Sequence, residues 1–211
     1  MFARILHELR EHSSFTIFGA VSGILVMIAS VKMPHEVAHD IFYVLHPLHV
    51  VLSALVTASL YSRYRCGQLG KKCPILLLLV IGYVGSIGIA TLSDSVIPYL
   101  GEVLLNLPHR QVHIGFIEKW WLINPLAFLG IAIAYFWPTT KFPHAGHVLV
   151  STWASLFHII MAAGGPISWF SYAAIFLFLF LSVWLPCCIS DIIFPLLFVR
   201  KNTSELHGIT H

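Results

Sequence analysis

The chain has 211 residues, of which 58% are hydrophobic and 10% are charged, and its formal net charge is +3 with histidine counted as neutral. Soluble domains carry about 25% charged residues, so this composition excludes an ordinary soluble protein and predicts a membrane protein. The excess of Lys and Arg falls mainly in short loops, where it reports topology and not a nucleic-acid partner. We therefore predict that the chain is embedded in the lipid bilayer and does not bind nucleic acid.

Six apolar segments are long enough to cross a hydrocarbon core, which requires about 20 helical residues. They span residues 14–33, 40–61, 74–93, 120–137, 147–163 and 167–185. A further apolar run at 187–199 is too short to cross alone, so we expect it to extend the sixth helix past a kink at Pro186 or to lie in the interface. The predicted fold is an all-α polytopic membrane protein with six transmembrane helices in a single domain, residues 1–211.

Basic residues concentrate on one side of this six-span arrangement, before the first segment and after the second, fourth and last segments. They are Arg4, Arg10, Arg63, Arg65, Lys71, Lys72, Lys141, Arg200 and Lys201. Short cytoplasmic loops retain positive charge, so we predict a multi-pass protein of the cytoplasmic (inner) membrane with both termini cytoplasmic. Residues 200–211 then form a cytoplasmic tail.

An unusual polar pattern occurs twice in the apolar sequence: two histidines, then two hydroxyl residues, then a distant Ser-Asp pair. The two copies comprise His46, His49, Ser53, Thr57 and Asp94, and His144, His147, Ser151, Ser155 and Asp191. Each copy falls in a half with three spans, residues 1–100 and 101–199, and an odd number of spans reverses the second copy across the membrane. The sequence therefore predicts a 3+3 inverted repeat.

At about 100° per residue, the histidines and hydroxyls of each copy fall on one face of a helix, and His158 continues the second stripe. Ionisable groups at membrane depth are costly and mark ion pathways by default. The two predicted constellations are His46, His49 and Asp94 near the outer side, and His144, His147 and Asp191 near the inner side. The hydroxyl residues and His158 are predicted to line the pathway between them.

Neutral imidazole combined with carboxylate suits Zn, Fe, Mn, Ni or Co, whereas Mg and Ca prefer oxygen ligands. The predicted function is therefore transport of a divalent transition-metal cation, with the metal unresolved among these elements. On the extracytoplasmic face we expect an outer capture site formed by His35, Glu36, His39, Asp40, His109 and His113. Glu102 and Glu118 are predicted to lie in the same outer loop as His109 and His113. A homo-oligomer is also compatible with the sequence.

A plan of six spans built from two inverted three-helix halves, in a chain of this length, resembles the small transporters of the LysE superfamily. The resemblance covers the overall architecture and implies a transporter. No residue role is carried over from that family.

A zinc-dependent hydrolase is one alternative. The run His35-Glu36-Val37-Ala38-His39 matches HExxH, in which two histidines one turn apart bind zinc and the glutamate activates a water. An intramembrane protease or hydrolase, similar at this point to site-2-type proteases, would use Glu36 as its catalytic residue and Asp94 as a third ligand.

A membrane oxidoreductase is a further alternative, because the histidine pairs resemble the boxes of di-iron oxygenases. These pairs are His35/His39, His46/His49, His109/His113 and His144/His147. A haem held by His46 or His49 together with His158 belongs to the same class. The 4 cysteines, including Cys187, show no metal-binding or disulfide spacing, and we interpret them as structural thiols.

Overall fold

The computed structural model describes residues 2–30, 32–63, 74–139, 141–165 and 167–188, and describes their side chains apart from 2–12, 141–144 and 188. Within these ranges the secondary structure is entirely helical, so the prediction of an all-α fold is confirmed there. The elements are α1 (Phe2–Ala29), α2 (His35–Tyr61), α3 (Ile75–Thr91), a π-helical segment (Leu92–Val96), α4 (Ile97–Leu104), α5 (Gly115–Glu118), α6 (Trp120–Phe136), α7 (Lys141–Ala163) and α8 (Trp169–Cys188).

Four of the described helical stretches are long and apolar enough to cross a membrane, judged by length and composition. They are His35–Tyr61, Ile75–Leu104, Ala145–Ala163 and Trp169–Cys187, and shorter apolar helices occur at Ser13–Ala29 and Trp120–Phe136. Ile75–Leu104 is longer than the predicted segment 74–93, because the helix continues through the π-helical segment to Leu104. Glu102 therefore lies in α4, and its predicted place in the outer loop is wrong.

The sixth predicted segment continues through Pro186 to the end of α8 at Cys188. Most of the predicted C-terminal extension, residues 189–199, lies outside the described residues, as do Asp191 and the predicted tail 200–211. The side chain of His144 is also outside the described part of the chain.

The centre of the bundle is formed by α2 and α7, whose chains run in opposite directions. The ring of Phe42, early in α2, lies 5.5 Å from that of His158, late in α7, and the rings of His49 and His147 lie 5.4 Å apart. α2 also packs on α3 and α6, α7 packs on α8 and α1, α1 contacts α8, and α3 contacts α6. Among these six helices, this set of contacts is unchanged when α1 is exchanged with α6, α2 with α7 and α3 with α8. The π-helical segment and α4 depart from this symmetry, because they also contact α7 and α8.

Small residues allow the helices to approach closely. A Cβ atom on Gly130 of α6 would lie 2.4 Å from the carbonyl oxygen of Val51 in α2, so only glycine fits at this crossing. On the other side of the bundle, a Cβ atom on Gly19 of α1 would lie 2.9 Å from the hydroxyl oxygen of Thr152 in α7. Close approach at small residues is typical of helices that pack within membranes.

The bundle places apolar side chains outside and polar ones inside. Leu76 and Leu104 are 73% and 74% exposed, whereas Asp94 and Glu102 are fully buried. Apolar outer surface is favourable in lipid and unfavourable in water, and buried ionisable residues of membrane proteins face the bundle interior. These helices are compatible with a multi-pass membrane protein.

Candidate functional site

Asp94 is presented by a local widening of its helix. The π-helical segment Leu92–Val96 separates α3 from α4, and its consecutive residues Ser93, Asp94 and Ser95 are all fully buried. A π turn takes up an extra residue and changes the direction of the side chains around it, which is why such turns recur at functional sites. As a result, one continuous helical stretch carries two buried carboxylates, Asp94 and Glu102.

The Asp94 carboxylate accepts hydrogen bonds from four side chains. His46 Nδ1 and His49 Nδ1 donate to Oδ2 over 2.9 and 2.7 Å, while Ser93 Oγ and Ser151 Oγ donate to Oδ1 over 2.7 and 2.8 Å. Hydrogen bonds to a charged group each stabilise by about 1.5–3 kcal/mol. Asp94 therefore joins α2 to α7 and fixes the orientation of both imidazoles.

His49 uses its second ring nitrogen differently from its first. Nδ1 is held by Asp94, whereas Nε2 is buried and has no hydrogen-bond partner among the described residues. Close by lie His147 and Cys187, and one ligand atom from each of the three residues lies within 4.8 Å of the others. All three side chains are fully buried. This cluster is a candidate metal site with two imidazoles and one thiol.

The position of His147 differs from the sequence prediction, which assigned His49 and His147 to separate outer and inner constellations. The crossing of the antiparallel helices α2 and α7 brings their rings to 5.4 Å instead. The predicted grouping of His46 and His49 with Asp94 is present in the structure. The grouping of His144 with Asp191 falls outside the described side chains.

A second buried pair joins α4 to α7. Glu102 Oε1 lies 2.5 Å from His158 Nδ1, and both side chains are at most 1% exposed. Glu102 Oε2 and His158 Nε2 have no hydrogen-bond partner among the described residues. The ring of Phe42 lies 5.3 Å from that of His46 and 5.5 Å from that of His158. Phe42 therefore separates this pair from the Asp94 centre.

The segment after α4 adds ionisable groups beside this pair. The His113 ring lies 5.4 Å from that of His158, and Nδ1 of His113 lies 3.3 Å from Glu118 Oε2, which also accepts a hydrogen bond from the Tyr43 hydroxyl. Burial lowers the pKa of His113 below its usual 6.5, and Glu118 opposes this shift. Burial would raise the pKa of Glu118, but hydrogen bonds from Tyr43, the Ile114 amide and His113 hold it below its ordinary value.

The predicted outer capture residues are dispersed. His35 and His109 line a cavity of about 300 Å³ between the ends of α1, α2 and α7. His39 contacts the His113 ring at 6.0 Å. Glu36 and Asp40 are exposed and do not line this cavity. We call the cavity the vestibule.

The predicted hydroxyl residues Ser53, Thr57, Ser151 and Ser155 are all fully buried. Ser151 bonds to Asp94, and Ser155 Oγ donates to the carbonyl oxygen of Ser93 over 2.8 Å. Ser53 and Thr57 continue along α2 beyond His49. The polar stripes of the two helices therefore face the interior of the bundle.

The site residues predicted from the sequence do not include Glu102, Ser93 or Cys187, and Cys187 is interpreted there as a structural thiol. Ser93 carried a signal, since it belongs to the repeated Ser-Asp pair. Cys187 carried none, because it has no ligand-like spacing and its partners come from distant helices.

The fold and the site together describe an all-helical bundle, compatible with membrane insertion, whose interior holds candidate metal ligands. Comparisons of the chain with protein-family models, with curated proteins and with solved structures found no match.

Proposed function

We propose that the protein is a transporter that moves a divalent transition-metal cation across the cytoplasmic membrane. The observation that carries this proposal is the Asp94 centre. Its buried carboxylate accepts hydrogen bonds from two imidazoles of α2 and one hydroxyl of α7, at the interface between the two halves of the chain. Buried ionisable groups of this kind are costly, and in membrane proteins they mark ion pathways.

Six membrane spans in a 3+3 inverted repeat are part of the proposal. α6 has 17 residues, about 25 Å of helix, and it is bounded by Trp120, Trp121 and Trp137, which are 64%, 60% and 74% exposed. Tryptophans at both ends are typical of a span anchored at two interfaces. The exchange symmetry of the helix contacts and the antiparallel course of α2 and α7 support the repeat. Both termini are proposed to be cytoplasmic.

The pathway that these contacts support begins at the vestibule, where His35 and His109 offer imidazoles to an entering cation. It continues past Glu102 and His158 to the Asp94 centre, and Phe42 separates these two stations. Beyond His49 the buried hydroxyls of Ser53 and Thr57 extend the polar face of α2. In transporters with inverted repeats, one half moves against the other and opens a central site to each side of the membrane in turn.

The enzyme alternatives receive less support. A hydrolase at the HExxH run would need a third ligand, and Asp94 is bonded to His46 and His49 instead. Glu36, its predicted catalytic residue, is exposed at the first turn of α2. A haem between His46 and His158 would have to displace Phe42, whose ring contacts both.

Metal flux into proteoliposomes tests the proposal. The purified protein is reconstituted, and uptake of Zn, Fe, Mn, Ni and Co is followed for the wild type, for His49→Ala and for Ser182→Ala. Ser182 is a matched control because it is buried in α8, where its hydroxyl donates to the carbonyl of Leu179 in the same helix.

We expect flux of at least one metal in the wild type and in Ser182→Ala. We expect a loss of at least about tenfold in His49→Ala, the size of effect typical for disturbed metal coordination. Absence of flux for all these metals in a folded wild-type protein would contradict the proposal.

A further inference from the structure

Cys187 is fully buried and lies close to the imidazoles of His49 and His147. It packs against Val148 and Val183 in the interior, between α7 and α8. A buried cysteine in apolar surroundings normally acts as a small hydrophobic residue. Here one side of the packing is polar, because ligand atoms of His49 and His147 lie within 4.8 Å of each other and of the thiol sulfur.

We propose that His49, His147 and Cys187 form a binding site for a thiophilic divalent cation of the Zn²⁺ type, and that this site excludes Mn²⁺. As the cargo-binding site of a transporter, this assignment rests on the proposed function; as a binding site, it does not. Thiolate and imidazole favour Zn²⁺ and Co²⁺, whereas Mn²⁺ and Mg²⁺ favour carboxylate, carbonyl and water. Of the metals predicted from the sequence, this donor set therefore favours Zn and Co and disfavours Mn.

A tetrahedral zinc site sets how closely the three ligand atoms must approach one another. Zn–N bonds of about 2.0–2.1 Å and Zn–S bonds of about 2.3 Å place neighbouring ligand atoms about 3.3–3.6 Å apart. The three ligand atoms lie within 4.8 Å of one another, so metal binding requires each pair to approach by at most about 1.5 Å. Three protein ligands leave one tetrahedral position open for water, unlike a structural zinc site with four protein ligands.

Asp94 supplies the orientation that such a site needs. Metal-binding histidines usually donate their other ring N–H to a carboxylate, which fixes the tautomer and the ring direction. His49 has this arrangement, since Nδ1 donates to Asp94 over 2.7 Å and the buried Nε2 has no protein hydrogen-bond partner among the described residues. Asp94 is thus a positioning residue, and His49 is the ligand.

Charge also favours a thiolate at this depth. A doubly charged ion in a buried site is strongly unfavourable unless nearby negative charge compensates it. Binding forms a metal–sulfur bond and releases the thiol proton to solvent, which leaves Cys187 with one negative charge. The Cys187 thiolate and the Asp94 carboxylate together balance the two positive charges of the ion.

The test uses Co²⁺ as a spectroscopic probe on the purified full-length protein in detergent or nanodiscs. A cobalt–thiolate bond produces a charge-transfer absorption that nitrogen and oxygen ligands alone do not. The spectrum is recorded for the wild type, for Cys187→Ser and for Cys188→Ser, which is the same substitution one residue further along the chain. Zn²⁺ and Mn²⁺ are then added separately to displace the bound Co²⁺.

We expect the charge-transfer band in the wild type and in Cys188→Ser and its loss in Cys187→Ser. Zn²⁺ should displace Co²⁺ at a concentration at least about tenfold lower than Mn²⁺ does. A wild type without the band, a band that survives Cys187→Ser, or equal competition by Zn²⁺ and Mn²⁺ would overturn the assignment.

Flux measurements separate this inference from the proposed function. The band without flux of any metal would refute transport and leave the binding site in place. Flux with equal rates for Zn²⁺ and Mn²⁺ that persists in Cys187→Ser would support transport and refute the thiolate site.

Discussion

The two histidine pairs of α2 have the same residue type in very different surroundings. The first pair is His35 and His39, at the start of the helix. The His39 side chain is 34% exposed and contacts the Asp40 side chain, which is 84% exposed, at 3.5 Å. Two to three turns later, His46 and His49 are at most 1% exposed, and both bond to Asp94. The first pair matches a known zinc motif, whereas the second pair has only the HxxH spacing.

The comparison indicates that spacing along one helix does not make a metal site by itself. A further side chain must come from another helix. HExxH places two imidazoles one turn apart, but among the described residues no group of three close metal-ligand atoms includes His35 or His39. By contrast, His46 and His49 both form hydrogen bonds to Asp94 of the π-helical segment. His49 also lies close to His147 and Cys187. Burial then makes each contact stronger, because the local dielectric is low.

The largest expected difference between the two regions is in stability. Asp94→Ala removes the acceptor of four hydrogen bonds in the interior and should destabilise the fold by about 3–5 kcal/mol. Asp40→Ala, at the exposed end of the same histidine series, should change stability by less than about 0.5 kcal/mol. Unfolding midpoints of both variants in one detergent measure this difference. Equal shifts would mean that the Asp94 contacts do not organise the bundle.

A smaller effect is expected when an added methyl group at Gly115 crowds His46 and every polar side chain is kept. A Cβ atom on Gly115 would lie 2.5 Å from His46 Nε2, and His46 cannot yield without straining its bond to Asp94. Gly115→Ala should therefore cost about 1–3 kcal/mol of overpacking and reduce metal flux. Gly88→Ala is the control, because a Cβ atom there meets nothing within 4 Å. Equal flux and stability in the two variants would contradict the close packing over His46.

The smallest expected effect concerns pH at the segment after α4, which carries His113 and Glu118. Both pKa values are lower in the folded protein than their ordinary values, 6.5 for His113 and 4.5 for Glu118. Each group therefore contributes stability that is present above its ordinary pKa and is lost as the pH falls through the folded pKa. In metal-free buffer, the first loss should begin below pH 6.5, where unfolded His113 takes up its proton.

Hydrogen exchange of residues 111–118, expressed as protection relative to the intrinsic rate at each pH, measures this loss. Protection should decrease modestly between about pH 7.5 and 5.5 in the wild type, and His113→Gln should remove that decrease. The same decrease in the variant would show that another group controls the segment.

Much of the architecture followed from local pattern. Apolar runs predicted the helices, and helical spacing predicted that His46 and His49 share a face. The repeated Ser-Asp pair and the order of the spans grouped Asp94 with them. The repeat pointed to Ser151, whose hydroxyl reaches Asp94 from α7.

The remaining features depend on tertiary contacts that spacing does not encode. Glu102 is predicted to lie in a loop because the third apolar segment ends at residue 93, yet the π-helical segment continues the helix to Leu104. The meeting of His49 with His147 depends on where α2 and α7 cross, and the approach of Cys187 depends on the packing of α8.

The central claim is that the metal binds beside Asp94, at His49 and its neighbours, and not at the HExxH run. Zn²⁺ flux into proteoliposomes, measured side by side for the wild type, Asp94→Asn and Glu36→Gln, tests it most directly. Loss of an orienting carboxylate typically costs 10–100-fold in metal affinity, so flux at low Zn²⁺ should fall by about tenfold or more in Asp94→Asn. In Glu36→Gln it should remain within about twofold of the wild type, as expected for an exposed side chain outside the pathway. Full flux in Asp94→Asn together with loss in Glu36→Gln would contradict the account and return the function to the first turn of α2.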